Sequence, residues 1–140
     1  MNPLLTVITG GVTDPDAVQR TITTADAVVS VFGHVKGSPP TIQADGTRVI
    51  VEAMKAVGVT RIVSLSGGGV PAPPDRPKPA DKAITFLLRT FAGAVLADGI
   101  AHARVLEGSG LEWTIVRAPR LTDGPRRGTY RVGWVGVNAS

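Results

Sequence analysis

The sequence predicts an open α/β domain, a parallel sheet with helices on both faces, and three observations carry that prediction. First, four short apolar runs each turn at their last residues into Gly, Ser or Pro: 4–9 into Gly10-Gly11, 27–32 into Gly33, 61–65 into Ser66-Gly67, and 113–117 into Ala118-Pro119. Second, apolar residues at helical spacing fill the intervals between those runs. Third, 140 residues with 43% hydrophobic and 19% charged side chains amount to one domain with enough apolar surface for a packed core. In a parallel sheet the turns that follow the strands fall along one edge, and open α/β folds bind ligands at that edge.

Each element has a local reason. Leu4-Leu5-Thr6-Val7-Ile8 is apolar and rich in β-branched residues, as expected of a strand covered on both faces. Asp14-Pro15-Asp16 then starts a helix: Asp14 caps, Pro15 takes the first helical position, and Asp16 complements the dipole. That helix is expected to end near Thr23-Thr24, before the strand 27–32. The loop 33–40 carries Gly37 and Pro39-Pro40, which delay the next helix. From about 41 to 57, Val49, Ile50, Ala53, Met54 and Val57 recur at helical spacing, and Gly58 supplies a left-handed cap with Val59 packing back. A strand follows at 61–65.

Residues 67–80, with five prolines and three consecutive glycines, read as a surface loop over the sheet edge with the composition of a lid. A long helical stretch, 81–107, is expected to break near Asp98-Gly99 and to end at Ser109-Gly110-Leu111. Strands at 112–118 and 129–133 close the chain.

Bulk properties narrow the function. The charge is +4, from eleven Arg and four Lys against eleven acidic residues, but only Arg117, Arg120, Arg126, Arg127 and Arg131 cluster. With so few aromatics there is no stacking platform, so no nucleic-acid partner is expected, and the patch suits a dinucleotide phosphate better. Zero cysteines exclude disulfides and thiolate chemistry. Two separated histidines and no acidic cluster at ligand spacing give no expected metal site. No secretory signal pattern is visible, and the apolar stretch 83–96 is short and holds Arg89, so the expectation is a cytoplasmic protein with no membrane partner.

Three segments together resemble a known family. They are Gly11-Val12-Thr13-Asp14-Pro15-Asp16-Ala17-Val18; Asp45-Gly46-Thr47-Arg48 on to Gly58-Val59-Thr60-Arg61-Ile62-Val63-Ser64-Leu65-Ser66; and 109–125, SGLEWTIVRAPRLTDGP. In order and spacing they are similar to atypical short-chain dehydrogenases of the NmrA-like and biliverdin/flavin reductase-like type. The resemblance implies a Rossmann-like domain that binds NADP or NAD, with NADP slightly favoured. In full-length form it implies reduction of a small organic molecule by hydride transfer.

Family members begin with a strand, a glycine-rich turn and a helix that hold the pyrophosphate. That unit has no counterpart here, nor does a C-terminal helix, so residues 1–140 read as a single partial domain. In the family's strand order the absent strands lie between those matched by 4–9 and 27–32. The vacancy is roughly 10 Å wide, and the expectation is that 4–9 closes it by pairing directly with 27–32, because unpaired buried backbone is costly.

The same resemblance implies site residues. Gly11 stands where members usually carry an acidic residue that bonds the adenine, so Gly11 and Val12 offer backbone contacts only. Phe32 and Gly33 end the second strand beside the adenine ribose and pyrophosphate. Ser64 and Ser66 flank the third exit, with Ser66 at the position of the serine near the nicotinamide, suited to donating to a substrate carbonyl or developing anion. Ala118, Pro119, Arg120 and Leu121 line the nicotinamide end, and Arg120 can pair with a phosphate or carboxylate. The structural alternatives are plain turn glycines, a loop-capping serine and a solvated basic face. His34 reads as a solvated loop histidine and His102 as a structural one. The Tyr-x-x-x-Lys pair of typical members is missing. This leaves open a non-catalytic dinucleotide-sensing module, or a fragment that does neither.

Overall fold

The structure is a computed structural model that describes residues 4–118, 124–125, 128–130 and 132–137. Four helices and three strands alternate: α1 (Pro15–Ile22), β1 (Ala27–Ser30), α2 (Ile42–Val57), β2 (Arg61–Gly67), α3 (Pro79–Phe91), α4 (Gly93–Glu107) and β3 (Glu112–Ala118). The strands form one parallel sheet in the order β1-β2-β3. Ala27 pairs with Arg61 and Arg61 with Glu112, so the strands start level and their exits lie side by side. The predicted α/β class with a parallel, Rossmann-like sheet stands.

The local signals act as expected at several points. Asp14 Oδ1 accepts from the backbone N–H of Asp16 at 3.0 Å and of Ala17 at 3.3 Å, capping α1. Gly58 ends α2 at φ +79°, and the Val59 amide donates back to the Met54 carbonyl at 3.0 Å. Burial alternates along β2, with Ile62, Ser64 and Ser66 buried. Ile62 sits in the main core with Val18, Ile22, Ile50, Met54 and Leu106 from α1, α2 and α4. On the other side of the sheet Val29 is 71% exposed.

Three expectations are corrected. Residues 4–9 form no strand and do not pair with 27–32; Leu5 and Val7 are exposed instead. A strand needs a level partner as well as β-branched residues, and β1 is only four residues long. The long helix breaks at Ala92, the cap residue of α4, and not at Asp98-Gly99, which lie inside α4. Finally, Thr129, Tyr130, Val132 and Gly133 are in no strand; residue 131 lies outside the described residues.

Candidate functional site

The strand exits and the turn before α1 build the candidate site. Gly10 is fixed by packing, since a Cβ there would collide with the Ala17 side chain at the start of α1. Val12 and Phe32 meet over α2: a Cβ on Gly46 would stand 2.9 Å from Val12 Cγ1, Val12 Cγ2 and Phe32 Cζ. Two of the predicted contact points therefore touch the same helical glycine. Gly11, Val12 and Phe32 also line one apolar cleft of about 330 Å³, walled by Val18, Ile22 and Ile50 and by the β1 residues Val28 and Val29.

Gly11, Gly33 and Gly67 share a property. None has a positive φ, and a Cβ at any of them meets nothing within 4 Å. Neither backbone geometry nor packing among the described residues demands glycine there. What their missing side chains leave is bare backbone facing open space, the condition for close approach by a flat ligand.

Behind the exits lies a buried polar layer. Thr47 Oγ1 donates to the Gln43 carbonyl at 2.7 Å, so its remaining partner, His102 Nδ1 at 2.8 Å, must be the donor. His102 Nε2 is then the acceptor for Ser64 Oγ at 3.2 Å. This pattern assigns a neutral imidazole. Burial holds the His102 pKa below its usual value, with the nearby Asp98 charge opposing that shift. His102 is structural, as the sequence suggested, and Ser64 spends its hydroxyl on it.

His34 departs from its sequence reading. It is not solvated: its Nε2 donates to Asp98 Oδ2 at 2.7 Å, and its side chain is 17% exposed. Asp98 is buried and also accepts from the Gln43 amide at 2.8 Å and the Ala44 amide at 3.0 Å. It caps the start of α2 from another element, using a carboxylate 54 residues away from Ala44. Sequence reasoning missed Asp98, Gln43 and Thr47, because no local period signals a contact between elements so far apart in the chain.

Ser66 is 5% exposed, and its Oγ has no hydrogen-bond partner among the described residues. It lies beside Gly99 of α4, its Oγ 3.7 Å from where a Cβ on that glycine would stand. Ala118 is level with Gly67, and its carbonyl accepts from the Gly68 amide at 2.8 Å. Pro119, Arg120 and Leu121 lie outside the described residues. The structure thus unites Gly11, Val12 and Phe32 at the cleft beside β1 and sets Ser66 and Ala118 on the next two strands, β2 and β3.

Residues 1–139 match a family of domains described as NAD(P)H-binding. The chain belongs to that family. Among solved structures, it is similar to an ethylated short-chain dehydrogenase/reductase from Veillonella parvula DSM 2008. The TM-score is 0.63 at 20% identity, over 80% of this chain and 45% of that one. It is also similar to a wide-type short-chain dehydrogenase/reductase from the same organism in complex with NADP, with a TM-score of 0.57 at 21% identity, over 80% of this chain and 46% of that one. At such identities the likeness concerns the fold. The chain spans a little under half the length of these relatives.

The residues fit a dinucleotide in part. The open glycines and the apolar cleft suit its flat rings, and Ser66 offers an uncommitted hydroxyl. The pyrophosphate fares differently. Helix starts hold phosphates through free N–H groups, but the α1 start is capped by Asp14 and the α2 start by Asp98. Neither offers a phosphate cradle.

Proposed function

We propose that this chain is the ring-holding part of an NAD(P)H-dependent reductase domain that acts on a small organic molecule. The observation that carries the reading is the rim itself: Gly11 before α1, Gly33 after β1 and Gly67 at the end of β2, three exposed glycines that packing among the described residues does not require, in a domain of an NAD(P)H-binding family.

In this reading the backbone of Gly11 and Val12 contacts the adenine, with Phe32 as a wall, and Gly33 admits the ribose. The Ala118 backbone lies at the nicotinamide end with Ser66 buried beside it; the family resemblance assigns Pro119, Arg120 and Leu121, which lie outside the described residues, to the same end. Ser64 does not touch the cofactor; it holds His102. The pyrophosphate is carried by a group other than the α1 and α2 starts, and Arg120 is the candidate in this chain. NADP is favoured over NAD because the net charge is +4 and because one relative was crystallised with NADP.

The cofactor supplies the hydride. This chain's part is to position the rings, to keep water from the covered face, and to donate a hydrogen bond from Ser66 Oγ to the oxygen that gains charge. A non-catalytic sensing module is the second reading. It draws on the missing Tyr-x-x-x-Lys pair and on the burial of Ser66.

Thermal unfolding with NADPH tests both. A bound ligand at 100 times its Kd stabilises by about 2.7 kcal/mol. A midpoint that climbs with NADPH supports binding, and an unmoved midpoint at millimolar NADPH overturns it. Oxidation of NADPH with flavin or quinone acceptors selects the reductase; saturable binding without oxidation selects the sensor.

A further inference from the structure

Ser66 cannot act where it stands. Its hydroxyl is buried, and Val70, itself 4% exposed, packs against the same glycine of α4. Val70 Cγ2 lies 2.8 Å from the point where a Cβ on Gly99 would stand, and Ser66 Oγ lies 3.7 Å from that same point. Ser66, Gly99 and Val70 thus meet in one small space, which only a glycine at 99 leaves room for.

Val70 is brought there by the segment that leaves β2; the Arg76 amide of that segment donates to the Val135 carbonyl at 2.9 Å, and an ion pair ties it to β3. Arg117, on β3, donates to both Asp75 carboxylate oxygens at 2.6 Å and to the Val70 carbonyl at 2.8 Å. The two side chains are only 10% and 11% exposed. Asp75 also accepts from the Ala72 amide at 2.8 Å and the Val135 amide at 3.1 Å, and the Arg117 guanidinium lies over the Trp134 ring. A two-oxygen arginine–carboxylate pair is among the stronger and more directional polar contacts a protein makes.

We infer that residues 68–77 form a strap closed over Ser66, that Asp75–Arg117 is its latch, and that opening the strap moves Val70 away and delivers the Ser66 hydroxyl to the nicotinamide end of the rim. The inference rests on the role given to Ser66 above and adds its regulation. The closed state leaves a buried hydroxyl without a partner, a cost that water or a ligand removes once the strap lifts. The latch opposes that gain. The two effects work against each other at one residue, so a perturbation of the latch shifts the balance at Ser66. Arg117 and Asp75 are positioning residues here; neither touches the reacting atoms.

Because the chain has no cysteine, Ser66→Cys gives it a single thiol whose labelling reads the opening directly. Thr24→Cys, at an exposed position, is the free reference. The strap predicts that Ser66→Cys reacts with a disulfide reagent at least tenfold more slowly than Thr24→Cys, and that adding Asp75→Asn speeds it at least tenfold. Amide exchange in the chain with Ser66 intact guards against displacement of Val70 by the larger sulfur. There Asp75→Asn is expected to speed exchange at Gly68 and Val70 while leaving Ile62 and Ser64 of β2 unchanged. Equal labelling at positions 66 and 24 overturns the inference. So does a latch variant that leaves labelling and strap exchange as they were, or one that speeds exchange throughout β2. Neither readout contains a nucleotide, so a failure to bind NADPH counts against the proposed function and not against the strap.

Discussion

Replacing Asp98 by alanine probes the junction where α4, the start of α2 and the β1 exit loop meet. The carboxylate side chain is 1% exposed and accepts three hydrogen bonds, from His34 and from the Gln43 and Ala44 amides. Alanine leaves the two amides buried with no acceptor, at about 1–3 kcal/mol each. It also removes a negative charge from a helix N-terminus, worth about 0.3–1 kcal/mol and more when partly buried. The expected loss is about 3–5 kcal/mol, a large fraction of a domain's usual stability of about 5–15 kcal/mol. Asp98→Asn keeps one acceptor oxygen and loses about 1–2 kcal/mol. Urea unfolding followed by circular dichroism reads both variants as shifts in midpoint at constant slope. An Asp98→Ala protein within about 1 kcal/mol of wild type would refute the capping role, as would an asparagine variant less stable than the alanine one.

The neighbouring contacts give further expectations. Gly46→Ala, which at an exposed helix position gains about 0.5–1 kcal/mol, here pushes into Val12 and Phe32 at 2.9 Å. Overpacking of that kind costs about 1–3 kcal/mol, so the thermal midpoint should fall, and a rise would show that the two exits are not packed over α2. His102 is held neutral by burial, so the unfolded chain binds its proton more readily than the folded one. The sign follows: stability is full above the unfolded pKa of about 6.5 and declines as pH drops from there towards the lower folded value. His102→Asn should flatten urea midpoints between pH 7 and 5 relative to wild type, and an unchanged slope would contradict the assignment. His34→Gln, whose amide can reach Asp98 as the imidazole does, should preserve slow exchange at the Gln43 and Ala44 amides better than His34→Ala; equal effects would deny the hydrogen bond a role.

Much of the fold was legible because it rests on local chemistry. Asp14 caps the helix it precedes, Gly58 ends its helix in the left-handed region, and the run from Arg61 to Leu65 is a strand, extending to Gly67. The failures share a different cause. Residues 4–9 have the composition of a strand, but strand formation depends on a partner at the right level, which composition does not encode. Asp98-Gly99 looks like a helix breaker from its residue types. In the fold each has a tertiary use inside α4: Asp98 caps α2, and Gly99 admits Val70 next to Ser66. The same holds for His34, whose partner is 64 residues away. At the candidate site, Gly11, Gly33 and Ser66 could be picked out from their sequence positions, whereas the sequence assigns Gly67 no role. The closure of Ser66 beneath Val70 could not, since it depends on a pair between the strap and β3, 42 residues apart.

The rim of open glycines is the feature on which dinucleotide binding depends. An amide NMR titration of the isotope-labelled chain with NADPH tests it most directly, because each turn reports separately. Saturable shifts are expected at Gly11, Val12, Gly33 and Gly67, with the far ends of the strands, Ala27 and Arg61, unmoved. No shift at millimolar NADPH, or shifts concentrated at those far ends, would contradict it.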